Sequence, residues 1–195
     1  IPGYERMKVG QLGMTMLRLL GGGNILRASQ ITFLLESGWT HVFDFPELDE
    51  IQFQGGSGLD THISSGADGT PGINPLDIRA NPGPATFRQN PTAQATRGYG
   101  TQDSFGYRAV ALTRYDSLFW GINTEFLTAV FHDFEGVSPG LGQNFVEDRI
   151  TALFGIRFDY LSTYNAELRY THFVDTNLDA LRDRDTLLLF FGYQF

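Results

Sequence analysis

The segment Asp185–Phe195 reads DTLLLFFGYQF. Leu187, Leu189, Phe191, Tyr193 and Phe195 alternate along it, so in a strand they share one face. Chain ends usually fray into water. An apolar alternation that closes on Phe195 therefore poses a choice between an edge strand of a soluble sandwich and the last strand of a membrane barrel. The other segments of the chain bear on that choice.

The same period-two pattern recurs in seven stretches, near residues 6–20, 25–43, 105–115, 121–134, 149–160, 164–174 and 185–195. Most reach the roughly 9–11 residues that cross a bilayer when tilted, whereas strands of globular proteins run nearer five or six. In the fifth stretch Ala152, Phe154, Ile156, Phe158 and Tyr160 oppose Thr151, Leu153, Gly155, Arg157 and Asp159. In the sixth, Tyr164, Ala166, Leu168 and Tyr170 oppose Asn165, Glu167, Arg169 and Thr171. Charged residues inside the strands are expected on the face opposite the aromatics. The segregation is demanded if lipid lies outside, because an Arg at the bilayer midplane costs roughly 2–4 kcal/mol.

The connections alternate in length. GGGN, DSLFW and LST are short, whereas the links spanning about 46–104, 135–148 and 175–184 are long. Transmembrane barrels separate short inner turns from long outer loops in this way. Trp39, Phe43 and Phe134 lie toward the long-loop ends; Tyr115, Phe119, Trp120, Tyr160, Tyr164 and Phe195 lie beside the short turns. Two aromatic girdles of this kind suit the two membrane interfaces, with Trp39, Tyr115, Trp120, Tyr160, Tyr164 and Phe195 as membrane-girdle residues.

Composition agrees. The 195 residues are 42% hydrophobic, 14% aromatic and only 18% charged, with 17 Phe, 8 Tyr and 23 Gly. The net charge of −8 supplies no basic stripe for a nucleic acid. Without Cys, disulfides and thiolate metal sites are excluded. No run of about 18 apolar residues spells a transmembrane helix. The expected fold class is all-β, an antiparallel transmembrane β-barrel forming a single segment over residues 1–195. Seven strands are odd, and single-chain barrels close with an even number. The expectation is therefore the C-terminal part of a larger barrel, with an extra hairpin near IQFQGG or THISS leaving the parity unchanged.

Five strings, LLESGWTHVFDFPE, TQDSFGYRAVALTRYD, FHDFEGVSPG, ELRYTHF and LRDRDTLLLFFGYQF, together resemble the C-terminal part of an uncharacterised proteobacterial outer-membrane family, domain of unknown function thirteen-oh-two. The resemblance runs from the first strand to Phe195, through an HD-x-x-G-x-SPG loop and a DRD-plus-strand ending. It implies a longer protein in a Gram-negative outer membrane. It also implies envelope transport of hydrophobic or lipid-like cargo beside RND-type exporters and lipoproteins.

Glu36, Arg108, Arg114, Glu125, Arg157, Asp159, Glu167 and Arg169 are the candidate lumen-lining residues. Mixed signs on adjacent strands form cross-strand pairs, either as a lattice that satisfies a polar wall or as a filter that selects solutes. Val110, Leu112, Leu127 and Phe131 share that face and fit a plugged interior or a path that tolerates apolar cargo. His132 and Asp133 fall on opposite faces, so FHDFEG with His172 is not read as a metal site, and no Ser pairs with His172 for hydrolysis. No cofactor and no catalysis are expected. Asp44, Glu47, Asp49 and Glu50 read as a solvated loop, Arg182–Asp185 as rim ion pairs, and GGGN as a tight turn with positive φ rather than a phosphate loop. The expected partners are outer-membrane lipid, lipopolysaccharide, the N-terminal part of the same barrel and envelope transport components. The expected function is passage of small molecules, apolar or lipid-like ones included, across the outer membrane. The alternative is a plugged structural barrel that anchors partners in a larger envelope assembly.

Overall fold

Alternating β-branched, aromatic and leucine residues punctuated by Gly, Asn and Asp leave the backbone one regular way to satisfy its amides, which is strand pairing. In the computed structural model the strands are β1 (Val9–Leu20), β2 (Gln30–Val42), β3 (Gly72–Ile73), β4 (Phe87–Arg88), β5 (Asp103–Phe119), β6 (Ile122–Glu135), β7 (Arg149–Tyr160), β8 (Tyr164–Phe173) and β9 (Thr186–Tyr193). The structure describes residues 5–47, 50–51, 53, 99–139, 144–174 and 184–194, together with the strand residues 72–73 and 87–88. No helix occurs among them.

Seven strands form one sheet in the order β1-β2-β5-β6-β7-β8-β9, and every neighbouring pair is antiparallel. The chain is thus an all-β meander in which each strand pairs with the next long strand in sequence. The sheet is open: β1 and β9 are its two edges and do not pair with each other. Within the 46–104 segment the described residues include a two-residue ladder, Gly72–Ile73 with Phe87–Arg88. Of IQFQGG only Ile51 and Phe53 are described, and neither is in a strand; THISS lies outside the described residues.

Three local readings are corrected. The second strand starts at Gln30 rather than near Ile25, because residues 21–29 form a wider turn built on Asn24. Its carboxamide accepts from the Leu26 and Ala28 amides at 3.1 Å each and donates to the Gly21 and Ala28 carbonyls at 2.8 Å. Within GGGN only Gly23 takes positive φ, at 85°. The third strand runs on through DSLF to Phe119, and the turn is Trp120–Gly121, with φ of 50° and 76°. Two consecutive positive φ values mark the type I′ turn, whose twist matches that of the flanking strands. The register shifts between Tyr115 and Phe119, which accommodates the extra residues as a bulge.

Buried apolar volume is small. Among the described residues the buried apolar cluster is Val137 with Val146, in the β6–β7 loop. That loop turns on Gly136 (φ 74°), where an added Cβ would lie 2.0 Å from the Asp103 carbonyl oxygen. Both the left-handed backbone and the contact exclude a side chain. Gly136→Ala is expected to cost roughly 2–4 kcal/mol, read as a lowered urea midpoint for the refolded protein; an unchanged midpoint would show that the loop does not hold this geometry.

Candidate functional site

Directly opposed residues of an antiparallel pair point to the same side of the sheet, so the registers assign every strand residue to one of two faces. One face carries Met14, Leu35, Phe126, Phe154, Ile156, Leu168, Leu189 and Phe191, with Phe154 51%, Leu189 60% and Phe191 71% exposed. The other carries all eight charged residues expected there: Glu36, Arg108, Arg114, Glu125, Arg157, Asp159, Glu167 and Arg169. The segregation is incomplete. Arg18 stands opposite Phe33 on the apolar face, and Asp103 opposite His41 on the same side. Both lie at the ends of strands. Arg18 is two residues from the end of β1, close enough for its long stem to carry the guanidinium to the edge.

The charged face is layered. Toward the short turns, one rung in from Asn123, Asp159 and Asn165, the residues Arg114, Glu125, Arg157 and Glu167 form a single rung across β5, β6, β7 and β8, alternating in sign. Two rungs follow that are largely apolar from β2 to β7: Thr32, Leu112, Leu127 and Gly155, which continues onto Arg169 of β8, then Leu34, Val110, Ala129 and Leu153, which continues onto Thr171. Glu36, Arg108 and Phe131 form the next rung, and the Arg108 guanidinium carbon stands 5.9 Å from the Phe131 ring centroid. Arg108 and Arg114 are six residues apart, which places the two charged levels about 20 Å apart along the strand.

The expected lattice of cross-strand ion pairs forms only in part. Among the described residues, Arg169 pairs with Glu167 and Arg114 with Asp116 (2.8 Å), both within one strand, while Arg149 of β7 pairs with Asp133 of β6 at 2.6 Å. Glu36, Arg108, Glu125, Arg157 and Asp159 lie in register with opposite charges or polar groups without ion pairs within 4 Å among the described residues. Asn123, Glu125, Arg157 and Asp159 line one recess beside Arg114.

Beyond the Glu36 level, Gly13, Gly38, Gly106 and Asp133 stand side by side. The Phe145 ring from the β6–β7 loop lies on this glycine floor, its atoms 3.0 Å from the point a Cβ would take at Gly38 and 2.7 Å at Gly106. Asp133 pins the loop, accepting from the Val146 amide at 3.2 Å and the Arg149 Nε at 2.8 Å. The Ser138 amide donates to the Phe145 carbonyl at 3.0 Å, and the Ser138 hydroxyl meets that of Ser104 at 3.0 Å. Phe145 was not among the residues marked out by the sequence. Glycines recurring on one face of adjacent strands are the signal that something approaches the backbone closely there.

The apolar face carries aromatics at both ends. Toward the long loops, Trp39 stacks on Phe105 (5.9 Å, 8°), Phe105 on Phe134 (5.9 Å, 23°), and His132 meets Tyr107 edge-on at 5.5 Å. The Trp39 indole donates to Asp103 at 2.7 Å. Toward the short turns, Tyr115 meets Phe126 edge-on at 5.9 Å, Phe119 meets Trp120, and Tyr164 packs on Tyr193 at 5.3 Å. Tyr160 is 40% exposed on that side. Of the expected girdle residues Trp39, Tyr115, Tyr160 and Tyr164 occupy the apolar face, Trp120 sits in the turn, and Phe195 lies outside the described residues. Phe105 and Tyr115 are ten positions apart, about 33 Å along the strand, or roughly 25 Å of height at the tilt usual for barrel strands.

Of the RDRD run expected to form rim ion pairs, Arg182 and Asp183 lie outside the described residues, and Asp185 is the residue that fastens the junction. It accepts from the Tyr170 hydroxyl, lies 2.9 Å from His172 Nδ1 and accepts from the Phe173 amide at 3.0 Å. His132 and Asp133 fall on opposite faces, and Asp133 is committed to Arg149, so the FHDFEG carboxylates and His172 do not converge. Glu47 and Glu50 of the acidic stretch share a turn through the Glu50 amide, and Asp49 lies outside the described residues.

The fold and this face define a class: an antiparallel meander with one apolar side girdled by aromatics and one side of layered charges. The chain belongs to the family described as Protein of unknown function (DUF1302), whose model matches residues 1–195. No curated protein and no solved structure matches it.

The Tyr170 hydroxyl, then His172 and the Phe173 amide, hold the Asp185 carboxyl at about 2, below its ordinary 3.8. The clamp's contribution is therefore complete above the unfolded value and is lost as pH falls through the folded one. Carboxyl NMR of the folded protein is expected to show Asp185 titrating near 2 and to move it toward 3.8 in Tyr170→Phe; a midpoint already at 3.8 would refute the clamp.

Proposed function

We propose that this chain is part of the wall of a β-barrel in the outer membrane of a Gram-negative bacterium. Its apolar face meets lipid and lipopolysaccharide, and its charged face lines a path for small molecules, apolar and lipid-like ones included. The observation that carries this reading is the apolar face that runs across all seven strands, interrupted at strand ends by Arg18 and Asp103. Large residues such as Leu12 (65% exposed), Phe154 and Leu189 stand out from it. Contiguous apolar surface on this scale calls for a non-aqueous partner. The spacing of the aromatic clusters fits the roughly 25 Å apolar band of such barrels.

Backbone groups of an open sheet edge are not tolerated in hydrocarbon. In this reading the outward-facing edges of β1 and β9 are met by further strands of the same barrel. The charged face suits the lumen. Among the described residues Arg157, Glu125 and Glu36 make no ion pair and present charge to passing solutes, while Leu34, Val110, Leu112 and Leu127 give β2, β5 and β6 an apolar waist between two charged levels. Passage coupled to envelope transport components is part of the same proposal.

A second reading, a barrel plugged by its own loop and serving to anchor envelope partners, is favoured by one observation, the inward seating of Phe145. Planar-bilayer conductance separates the two. The path reading expects discrete conductance steps, and the plugged barrel expects none. If the charged wall filters ions, Arg157→Gln with Arg169→Gln is expected to shift the reversal potential in a salt gradient toward cation preference, by a factor of about 2–5 in permeability ratio. An unshifted reversal potential would remove the filter from the account.

A further inference from the structure

The HD-x-x-G-x-SPG string is left without a role by the path itself, yet it holds the best-fastened loop among the described residues. Asp133 binds the Val146 amide and Arg149. Gly136 makes the reversal that only glycine fits. The Thr101 hydroxyl accepts from the Val137 amide at 2.8 Å, and the Thr101 amide donates to the Val137 carbonyl at 2.9 Å. Ser138 bonds both Ser104 and the Phe145 backbone. Val137 and Val146 are each 1% exposed. All of these contacts fix the position of one side chain. Phe145 is delivered onto the charged face, where the glycines at 38 and 106 remove the side chains that would otherwise occupy its place.

We propose that Phe145 is the specificity-determining residue of the path, an aromatic constriction that sets the size limit and favours solutes carrying an apolar or flat ring. This deepens the proposed function and rests on it. A loop that merely covered the rim would not need an aromatic ring seated on bare backbone. Around the ring, Gln11, Glu36, Thr40, Arg108 and Asn144 line a recess open to the charged face. A solute passing this level meets the ring on one side and polar groups on the other. Hydrated solutes lose water at an aromatic surface without recompense, whereas an apolar ring stacks on it. Gly106 fixes the fit: with any side chain there the ring is displaced, since the Cβ alone would lie 2.7 Å from two of its carbons.

The test uses the full-length protein refolded into planar bilayers and liposomes, with Phe145→Ala and Phe145→Trp beside the wild type. Folding of each is first verified by resistance to dissociation in cold detergent. The expected result is a conductance increase of about two-fold in Phe145→Ala, a decrease in Phe145→Trp, and entry of larger neutral polyethylene glycols in Phe145→Ala liposomes. Phe145→Ala is also expected to lose the preference for benzyl alcohol over a sugar alcohol of equal size in the swelling assay. A closed wild type that Phe145→Ala opens overturns this inference in favour of the barrel plugged by its own loop, since a path that passes nothing selects nothing. Equal conductance and equal size limits in wild type and Phe145→Ala overturn this inference and leave the path standing. Folded wild type and Phe145→Ala that both pass nothing overturn the inference and the path together.

Discussion

Everything in this fold depends on the antiparallel register, which makes opposed residues share a face. Seven strands with period-two alternation would be worthless if one slipped by a single residue, since every side chain of that strand would then change sides. Across six pairings the register instead sets Arg114 beside Glu125, Arg157 and Glu167, and sets Phe126 beside Ile156 and Leu168. The sheet is stabilised by its ladder and by what lies against its two faces. Its internal core is small, being centred on Val137 and Val146 among the described residues.

From that constraint the functional layers follow. The charged face is a graded wall: a rung of alternating charges, a belt that is largely apolar from β2 to β7 and meets Arg169 on β8, a second charged level and a glycine floor. Opposite charges on neighbouring strands stabilise the sheet where they pair. Arg157 and Glu125 lie in register yet make no ion pair within 4 Å among the described residues. The β6–β7 loop uses the remaining freedom. Asp133 is buried at the cost of desolvation, offset by Arg149 and the Val146 amide, and the gain is a fixed position for Phe145.

Much of this was legible in the sequence. The alternation through Ala152–Tyr160 and Tyr164–Tyr170 gave both the strands and their faces, because the period of a strand is insensitive to its neighbours. All eight candidate charges therefore fall on one side. The limits of strands were harder to read. Ile25 and Leu26 continue the apolar pattern, yet the Asn24 side chain captures their backbone into a turn, a local competition that hydrophobic period does not register. DSLF looks like turn residues but extends β5 through a bulge that carries one positive φ at Ser117, while Trp120–Gly121 supplies the two consecutive positive φ values of the turn. Arg18 escaped the segregation because a long side chain near a strand end has an exit that a central one lacks. Phe145 was invisible because nothing local marks a loop residue that folds onto a distant surface. Only the pairing of Gly38 with Gly106, far apart in the chain, makes its seat.

The central claim is that lipid lies against the face of Phe154 and Leu168 and an aqueous interior against that of Arg157 and Arg169. The chain has no Cys, so single spin labels at successive positions 152–158 of β7 can be placed one at a time in the membrane-reconstituted protein. The account predicts that collision with oxygen rises at 152, 154, 156 and 158, while collision with a water-soluble nickel chelate rises at 153, 155 and 157. Labels that show no alternation, or that meet the nickel chelate equally on both faces, would contradict it.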